Sequence, residues 1–118
     1  MIKKILVIDD DPAILELMQL IFEDAGYCVE TTDAASGVIS CVENDLPHII
    51  VLDLRLSGRN GSDMVRQIKE QERTRHIPLL VCSASPTAKQ LALAAGADDF
   101  LAKPFEIEEL LAKVGRYM

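Results

Sequence analysis

Five side chains suited to phosphoryl chemistry are spread along the sequence: Asp9, Asp10, Asp53, Ser83 and Lys103. All of them follow short apolar runs (ILVI, IIVL, LLVC and FLA). An aspartate can act as a nucleophile and form an aspartyl phosphate. Such a transfer depends mainly on positioning and on neutralising charge, which a lysine and a serine hydroxyl can provide. The set predicts a phosphoryl group on Asp53, if the fold gathers these runs at one edge.

The three aspartates also predict a metal. Carboxylates that converge on one crevice repel, so at least one would stay protonated unless a cation is present. Mg²⁺ prefers oxygen ligands and commonly uses one or two carboxylates together with waters and a phosphate. Zinc is disfavoured because no Cys–His cluster exists, and His48 and His76 stand at predicted strand entrances.

Apolar runs and amphipathic stretches alternate along the chain. The runs predict five strands, which end near Asp9, Thr31, Asp53, Ser83 and Ala102. Apolar residues at helical spacing predict five helices, marked by Ile14/Leu17/Met18/Ile21, Ala35/Val38/Ile39/Val42, Met64/Val65/Ile68, Thr87 to Ala95 and Ile107/Leu110/Leu111/Val114. The first and last stripes are expected to be core rather than a partner groove.

This alternation predicts an α/β fold with a doubly wound, five-stranded parallel sheet covered by helices on both faces. We expect a single domain over residues 1–118. Ligands of such sheets bind at the carboxyl ends of the strands, where the acids, Ser83 and Lys103 stand.

Bulk properties exclude several classes of function. The chain has 118 residues and a net charge of −7, which argues against direct binding to nucleic acid. It has no polybasic run for an anionic membrane and no apolar stretch long enough to span one. Cys28, Cys41 and Cys82 form no CxxC pair, so we expect reduced thiols and a cytoplasmic location.

Three other aspartates, Asp11, Asp98 and Asp99, are predicted to have structural roles. Asp11 precedes Pro12, which is favoured in a first helical turn, so Asp11 is expected to be an N-cap. Asp98 and Asp99 are expected to be turn residues that face solvent.

Four motifs together make the chain resemble the receiver domain of bacterial two-component response regulators over essentially its whole length. They are VIDDDP (7–12), VLDL (51–54), CSA (82–84) and AGADDFLAKPF (95–105). The resemblance implies a flavodoxin-like fold with strand order 2-1-3-4-5. It also implies a switch that accepts a phosphoryl group from a histidine kinase or phosphotransfer protein.

The resemblance implies that Asp53 is the phospho-acceptor. It also implies that Mg²⁺ is bound by four groups, with Asp10 a more direct ligand than Asp9: the side chains of Asp9, Asp10 and Asp53 and the backbone carbonyl of Arg55. Lys103 would pair with the phosphoryl group. The Lys103–Pro104 bond would be cis, since cis peptides are essentially a proline phenomenon.

By the same resemblance, Ser83 would be the switch hydroxyl and Phe100 the switch aromatic residue. The chain departs from the family at Ser57, where proline is usual. Arg55 and Ser85 stand where the family tunes phosphoryl lifetime, so that lifetime stays open.

Two rival functions remain to be tested. A pseudo-receiver would bind partners without phosphorylation, although such domains typically lose an acid or the lysine. A phosphatase of the haloacid-dehalogenase type would need an aspartate where Arg55 stands. A P-loop enzyme is excluded because GxxxxGK[ST] is absent. A homodimer and an output domain beyond Met118 are left open.

Overall fold

The structure of the protein is a computed structural model that describes residues 2–33, 46–53, 61–85 and 87–118. Five strands lie in this part of the chain: β1 (Lys4–Ile8), β2 (Cys28–Thr32), β3 (Ile49–Asp53), β4 (Leu79–Ser83) and β5 (Asp99–Ala102). Four helices accompany them: α1 (Pro12–Asp24), α2 (Gly61–Glu70), α3 (Ala88–Ala95) and α4 (Ile107–Gly115). The helix predicted around residues 35–42 lies outside the described residues.

The strands form one parallel sheet in the order β2-β1-β3-β4-β5, which confirms the predicted fold and strand order. Strands β3 and β4 are buried along their whole length. This explains why their sequences are continuously apolar instead of alternating with polar residues: both faces of the sheet are covered.

Alternate strand residues feed two separate cores. One core gathers side chains such as Leu6, Ile50 and Val81 with Val65 and Ile68 of α2. The other core is formed by the strand residues that point to the opposite face, together with buried residues of α1 and α4. Its strand residues include Ile5, Val7, Val51, Leu80 and Leu101, and its helix residues are Met18, Phe22, Leu110 and Val114. Helices therefore pack on both faces, as the doubly wound prediction requires.

Helix α1 begins where the sequence predicts. Asp11 is its N-cap and accepts the backbone N–H of Ala13 through Oδ1 at 3.0 Å, and Pro12 is the first helical residue. The predicted Asp11 cap is confirmed.

The prediction that the first and last helical stripes are wholly core is wrong in part. Met18 and Phe22 are buried, but Leu17 is 53% exposed. Helix α1 carries apolar residues around more of its surface than one sheet face can cover. In α4, Leu110 is buried whereas Ile107, at the first turn, is 51% exposed.

The prediction for Asp98 and Asp99 is correct for the first residue and wrong for the second. Asp98 is exposed in the bend before β5, whereas Asp99 is the half-buried first residue of the strand. The two side chains contact helices on opposite faces of the sheet. Asp98 accepts the N–H of Leu79 at 2.8 Å and pairs with Lys69 of α2 at 2.6 Å. Asp99 pairs with Lys113 of α4 at 2.9 Å. Each carboxylate therefore attaches a helix to the sheet.

The amino-terminal edge of the sheet holds His48. Its side-chain Nδ1 accepts the backbone N–H of Lys4 at 2.9 Å, and the backbone N–H of His48 donates to the Lys4 carbonyl at 2.9 Å. The imidazole therefore extends the pairing of β1 at the edge opposite to the strand ends, as its predicted place at a strand entrance implies.

Gly96 ends α3 in a left-handed conformation, with φ of +115°, and a Cβ there would lie 3.2 Å from Lys69 Cγ. Gly26 follows α1 with φ of +98° but has open space around it. Both substitutions by alanine should destabilise the fold, each by on the order of 1 kcal/mol for the backbone alone.

Gly96→Ala should cost more than Gly26→Ala, because Lys69 cannot move aside without disturbing its ion pair with Asp98. Urea unfolding of both variants, with equal m-values, measures the difference. A loss at Gly96→Ala no larger than at Gly26→Ala would contradict this reading of the Lys69 contact.

Candidate functional site

The carboxyl ends of the three central strands lie side by side. Ile8 is in register with Leu52, so Asp9 follows β1 next to the position where Asp53 ends β3. Asp53 is in turn in register with Cys82 of β4. Because parallel strands end at the same edge, three positions far apart in sequence reach one place.

Asp53 and Lys103 are in direct contact at this edge. Lys103 Nζ forms an ion pair with Asp53 Oδ1, and the Asp53 residue is only 3% exposed. The Lys103 backbone N–H donates to the Ser83 carbonyl at 3.0 Å, and the Lys103–Pro104 peptide is cis, as predicted. The hydrogen bond to Ser83 holds the end of β5 beside that of β4, and the Lys103 ammonium reaches Asp53 at the end of β3.

Asp9 is buried at the same edge, with 1% of its surface exposed. Its backbone N–H donates to the Thr32 carbonyl at 3.1 Å, and its Oδ1 accepts the Asp11 N–H at 3.2 Å. Among the described residues, Asp9 Oδ2 is a buried oxygen without a hydrogen-bond partner. Burial first, and then repulsion from Asp53, raise the pKa of Asp9 to about 6.

Asp10 lies beside Asp9 and is exposed to solvent. Its side chain also contributes to the raised pKa of Asp9. The Arg55 carbonyl, Ser57 and the rest of that predicted loop lie outside the described residues. The structure therefore brings together Asp9, Asp10, Asp53 and Lys103. It does not test the predicted role of the Arg55 carbonyl as a metal ligand.

Ser83 ends β4 in a buried position, and its Oγ accepts the Ser85 N–H at 3.1 Å. That bond uses an oxygen lone pair and leaves the hydroxyl hydrogen for another acceptor. Phe100 is half-buried and packs on the α2 and α3 face of the sheet. The two predicted switch residues thus lie on the neighbouring strands β4 and β5. Ser83 is at the strand end that carries the site, whereas Phe100 packs on the face covered by α2 and α3.

The site suits a hard cation by its chemistry. Within the described ranges, no three His, Cys, Asp or Glu side chains are already gathered as a metal cluster. Mg²⁺ needs only one or two carboxylates, because waters fill the rest of its octahedron. The buried Asp9 Oδ2 and the adjacent Asp10 and Asp53 offer oxygen donors only, so the donor set fits Mg²⁺ and not zinc.

A groove of about 440 Å³ leads from the surface of α1 to Asp53. Its floor holds Asp53 and Lys103, and its walls are mostly apolar side chains: Ile14, Leu17, Met18, Ile21, Ala84, Pro104 and Phe105. The sequence analysis missed this opening. The signal was present in the excess of apolar residues on α1, too many to fit on one buried face.

Cys82 lies in β4 directly before Ser83, in the apolar run where the sequence predicts a strand. Its side chain is fully buried, and it is the register partner of Asp53 on the neighbouring strand. Burial raises the pKa of its thiol. A neutral thiol adds no charge to the edge, so Cys82 acts there as a small hydrophobic residue.

Comparison with known proteins gives one consistent family. The model of the response regulator receiver domain matches residues 5–115. The DNA-binding dual master transcriptional regulator RpaA of Synechocystis is 40% identical over 114 residues, which are 94% of this chain and 47% of that protein. The alkaline phosphatase synthesis regulator PhoP of Bacillus subtilis is 36% identical, over 95% of this chain and 47% of that protein. The chain spans about half the length of these relatives.

Solved structures agree over the whole chain. The Vibrio cholerae chemotaxis protein CheY4 superposes with a TM-score of 0.88 at 28% identity, covering 100% of both chains. The receiver domain of the sensor histidine kinase PA1611 of Pseudomonas aeruginosa has a TM-score of 0.88 at 27% identity, covering 99% of this chain and 98% of that one. That structure is described with a magnesium ion coordinated in its active site cleft.

The matched model covers residues 5–115, which are nearly the whole chain. The chain belongs to the response regulator receiver domain family.

Proposed function

We propose that this chain is a switch that accepts a phosphoryl group on Asp53 from a phosphohistidine of a histidine kinase or phosphotransfer protein. The reaction depends on Mg²⁺ and changes the surface that the domain offers to its targets. The family makes phosphorylation-dependent signalling the expected role. The observation that supports the proposal most is the buried contact between Asp53 and Lys103 beside the buried Asp9.

The geometry supports Asp53 as the nucleophile. An Asp53 oxygen would attack phosphorus, the P–N bond to the donor imidazole would break, and its electron pair would leave with the imidazole. Negative charge on the transferred oxygens would be met by the Lys103 ammonium and by the Ser83 hydroxyl hydrogen. The domain would catalyse only its own phosphorylation and dephosphorylation.

Bound Mg²⁺ would neutralise charge on the acids and on the transferring phosphoryl group. Asp9, Asp10 and Asp53 would hold it, with the Arg55 carbonyl as a further ligand. Such a cation suits this edge, because Asp9 and Asp53 are both buried there. Burial first, and then repulsion from Asp53, disfavour the charged form of Asp9 and raise its pKa to about 6.

The groove supports a protein donor. A phosphohistidine must come within bonding distance of Asp53, which is buried at the base of an otherwise apolar opening. An exposed Leu17 on its wall suits a partner helix with an apolar face. A small phosphodonor would also fit, since the opening holds about 440 Å³.

Movement of Ser83 toward the phosphoryl group would carry the signal outward. It would break or lengthen the present bond from the Ser85 N–H and change the packing of Phe100 against α2 and α3. Phe100 has no hydroxyl, so its two states would differ by packing alone. We expect a cytoplasmic domain that acts on an output region or a separate target protein, and no helix in the described ranges is long and apolar enough to cross a membrane.

Amide NMR with Mg²⁺ and beryllofluoride, a phosphoryl mimic, tests the proposal. We expect shifts at Asp53, Ser83 and Phe100, because the mimic engages the acceptor and the switch residues. EDTA should abolish the shifts, and so should Asp53→Asn, which removes the nucleophilic carboxylate.

The rival functions give different results in the same experiment. Mg²⁺ binding without a beryllofluoride response would sink the switch and favour a pseudo-receiver. Continuous release of phosphate from many esters would favour a phosphatase.

The neighbouring aspartates Asp10 and Asp11 should behave differently when each is replaced by alanine. Asp10→Ala should abolish Mg²⁺-dependent phosphorylation by a small phosphodonor, since it removes a ligand. Asp11→Ala should cost about 1 kcal/mol of unfolding free energy, because it removes the helix cap, and should leave phosphorylation largely intact. Phosphorylation assays and urea unfolding of both variants measure this. A loss of Mg²⁺ binding in Asp11→Ala would contradict the division.

The raised pKa of Asp9 predicts a pH dependence of stability in the metal-free protein. Between pH 3.8 and about 6, folded Asp9 retains a proton that the unfolded chain has released. The unfolding free energy from this group therefore falls as pH rises through that window.

Asp9→Asn should remove this contribution and make the metal-free protein more stable at pH 7 than the wild type. Urea unfolding in EDTA at several pH values measures the difference. Asp24→Asn, at the exposed far end of α1, is the matched control and should keep the wild-type slope. If Asp9→Asn were less stable than the wild type at pH 7 in EDTA, the buried charge would not be the cost that we infer.

A further inference from the structure

One carboxylate ties the last turn of the chain to β5. Asp99 Oδ1 accepts the Phe100 N–H at 2.8 Å and the Lys113 ammonium at 2.9 Å, and Asp99 Oδ2 accepts the Tyr117 hydroxyl at 3.2 Å. Arg116 lies 3.9 Å from the same oxygen. Burial opposes ionisation of Asp99, but bonds from Lys113 and Phe100 keep its pKa below the usual value.

The chain beyond α4 is held by these contacts and by packing. The Tyr117 hydroxyl also lies 3.3 Å from the Asp98 carbonyl. Tyr117 and Met118 pack against the core on the α1 and α4 face. The position of this last turn therefore depends on where the first residues of β5 lie.

The proposed switch residue Phe100 follows Asp99 directly in β5, and Lys103 lies one residue beyond the end of that strand. The Phe100 backbone N–H donates to Asp99 Oδ1 at 2.8 Å. Repacking of Phe100 on one face of the sheet would therefore shift the carboxylate that holds α4 on the other.

We propose that Asp99 is a coupling residue that conveys the state of the site to the C-terminal turn at Arg116, Tyr117 and Met118. The inference rests on the proposed function, because the signal it carries is the phosphoryl state of Asp53. Asp98 provides a contrast, since its side chain ties α2 to the opposite face through Lys69.

Amide NMR on three proteins tests the coupling: wild type, Asp99→Asn and Asp98→Asn, each with Mg²⁺ and with or without beryllofluoride. In the wild type, the mimic should shift both Ser83 and the amides of residues 116–118. In Asp99→Asn, the Ser83 shift should remain and the shifts at 116–118 should be lost. Asp98→Asn, an equal change on the other face, should keep both.

Tyr117→Phe is a milder variant that removes one hydroxyl and guards against misfolding of Asp99→Asn. It should reduce the chemical-shift changes at residues 116–118 and leave the change at Ser83 as it is in the wild type.

Two results would overturn the coupling. One is that Asp99→Asn shows the same shift changes at residues 116–118 as the wild type. The other is that the wild type responds at Ser83 but shows no change at residues 116–118. Loss of the 116–118 shifts in Asp98→Asn as well would also overturn a route through Asp99. Absence of any response, including Ser83, would overturn the proposed function and the coupling with it.

Discussion

Two carboxylates, Asp9 and Asp53, are buried next to each other at the carboxyl ends of central strands, and the rest of the structure holds them there. Asp9 and Asp53 are almost fully buried, yet the only cation that the described residues place on Asp53 is Lys103. Burying carboxylates is costly unless they are paired, so this edge is poor for stability. On the proposed function, the same arrangement would favour binding of a divalent cation and a phosphoryl group.

The remaining architecture holds these groups in place. Parallel pairing aligns the strand ends, two separate cores fix the sheet from both faces, and the Lys103 N–H bond to Ser83 brings β5 to the site. The aspartates at the other end of β5 serve attachment: Asp98 and Asp99 bind helices on opposite faces. The acidic residues therefore differ at the two ends of the sheet. Asp9 and Asp53 are buried next to each other at one end, whereas Asp98 and Asp99 each pair with a lysine at the other.

Much of the fold could be predicted from sequence because it follows from periodicity. Continuous apolar runs gave β3 and β4, and Asp11 before Pro12 gave the start of α1. Features that depend on how distant elements pack together could not be predicted from the sequence. The exposure of Leu17 depends on how much of α1 the sheet covers, and the partners of Asp98 and Asp99 lie on helices far away in sequence. The contact between Asp53 and Lys103 was foreseeable only through strand order, which the resemblance supplied.

The proposed function depends on transfer of a phosphoryl group to Asp53. Intact-protein mass spectrometry after incubation with a small phosphodonor and Mg²⁺ measures that transfer. We expect the addition of one phosphoryl group to the wild type, its loss when EDTA replaces Mg²⁺, and no addition to Asp53→Asn. Equal addition to Asp53→Asn, or none to a folded, Mg²⁺-bound wild type, would contradict it.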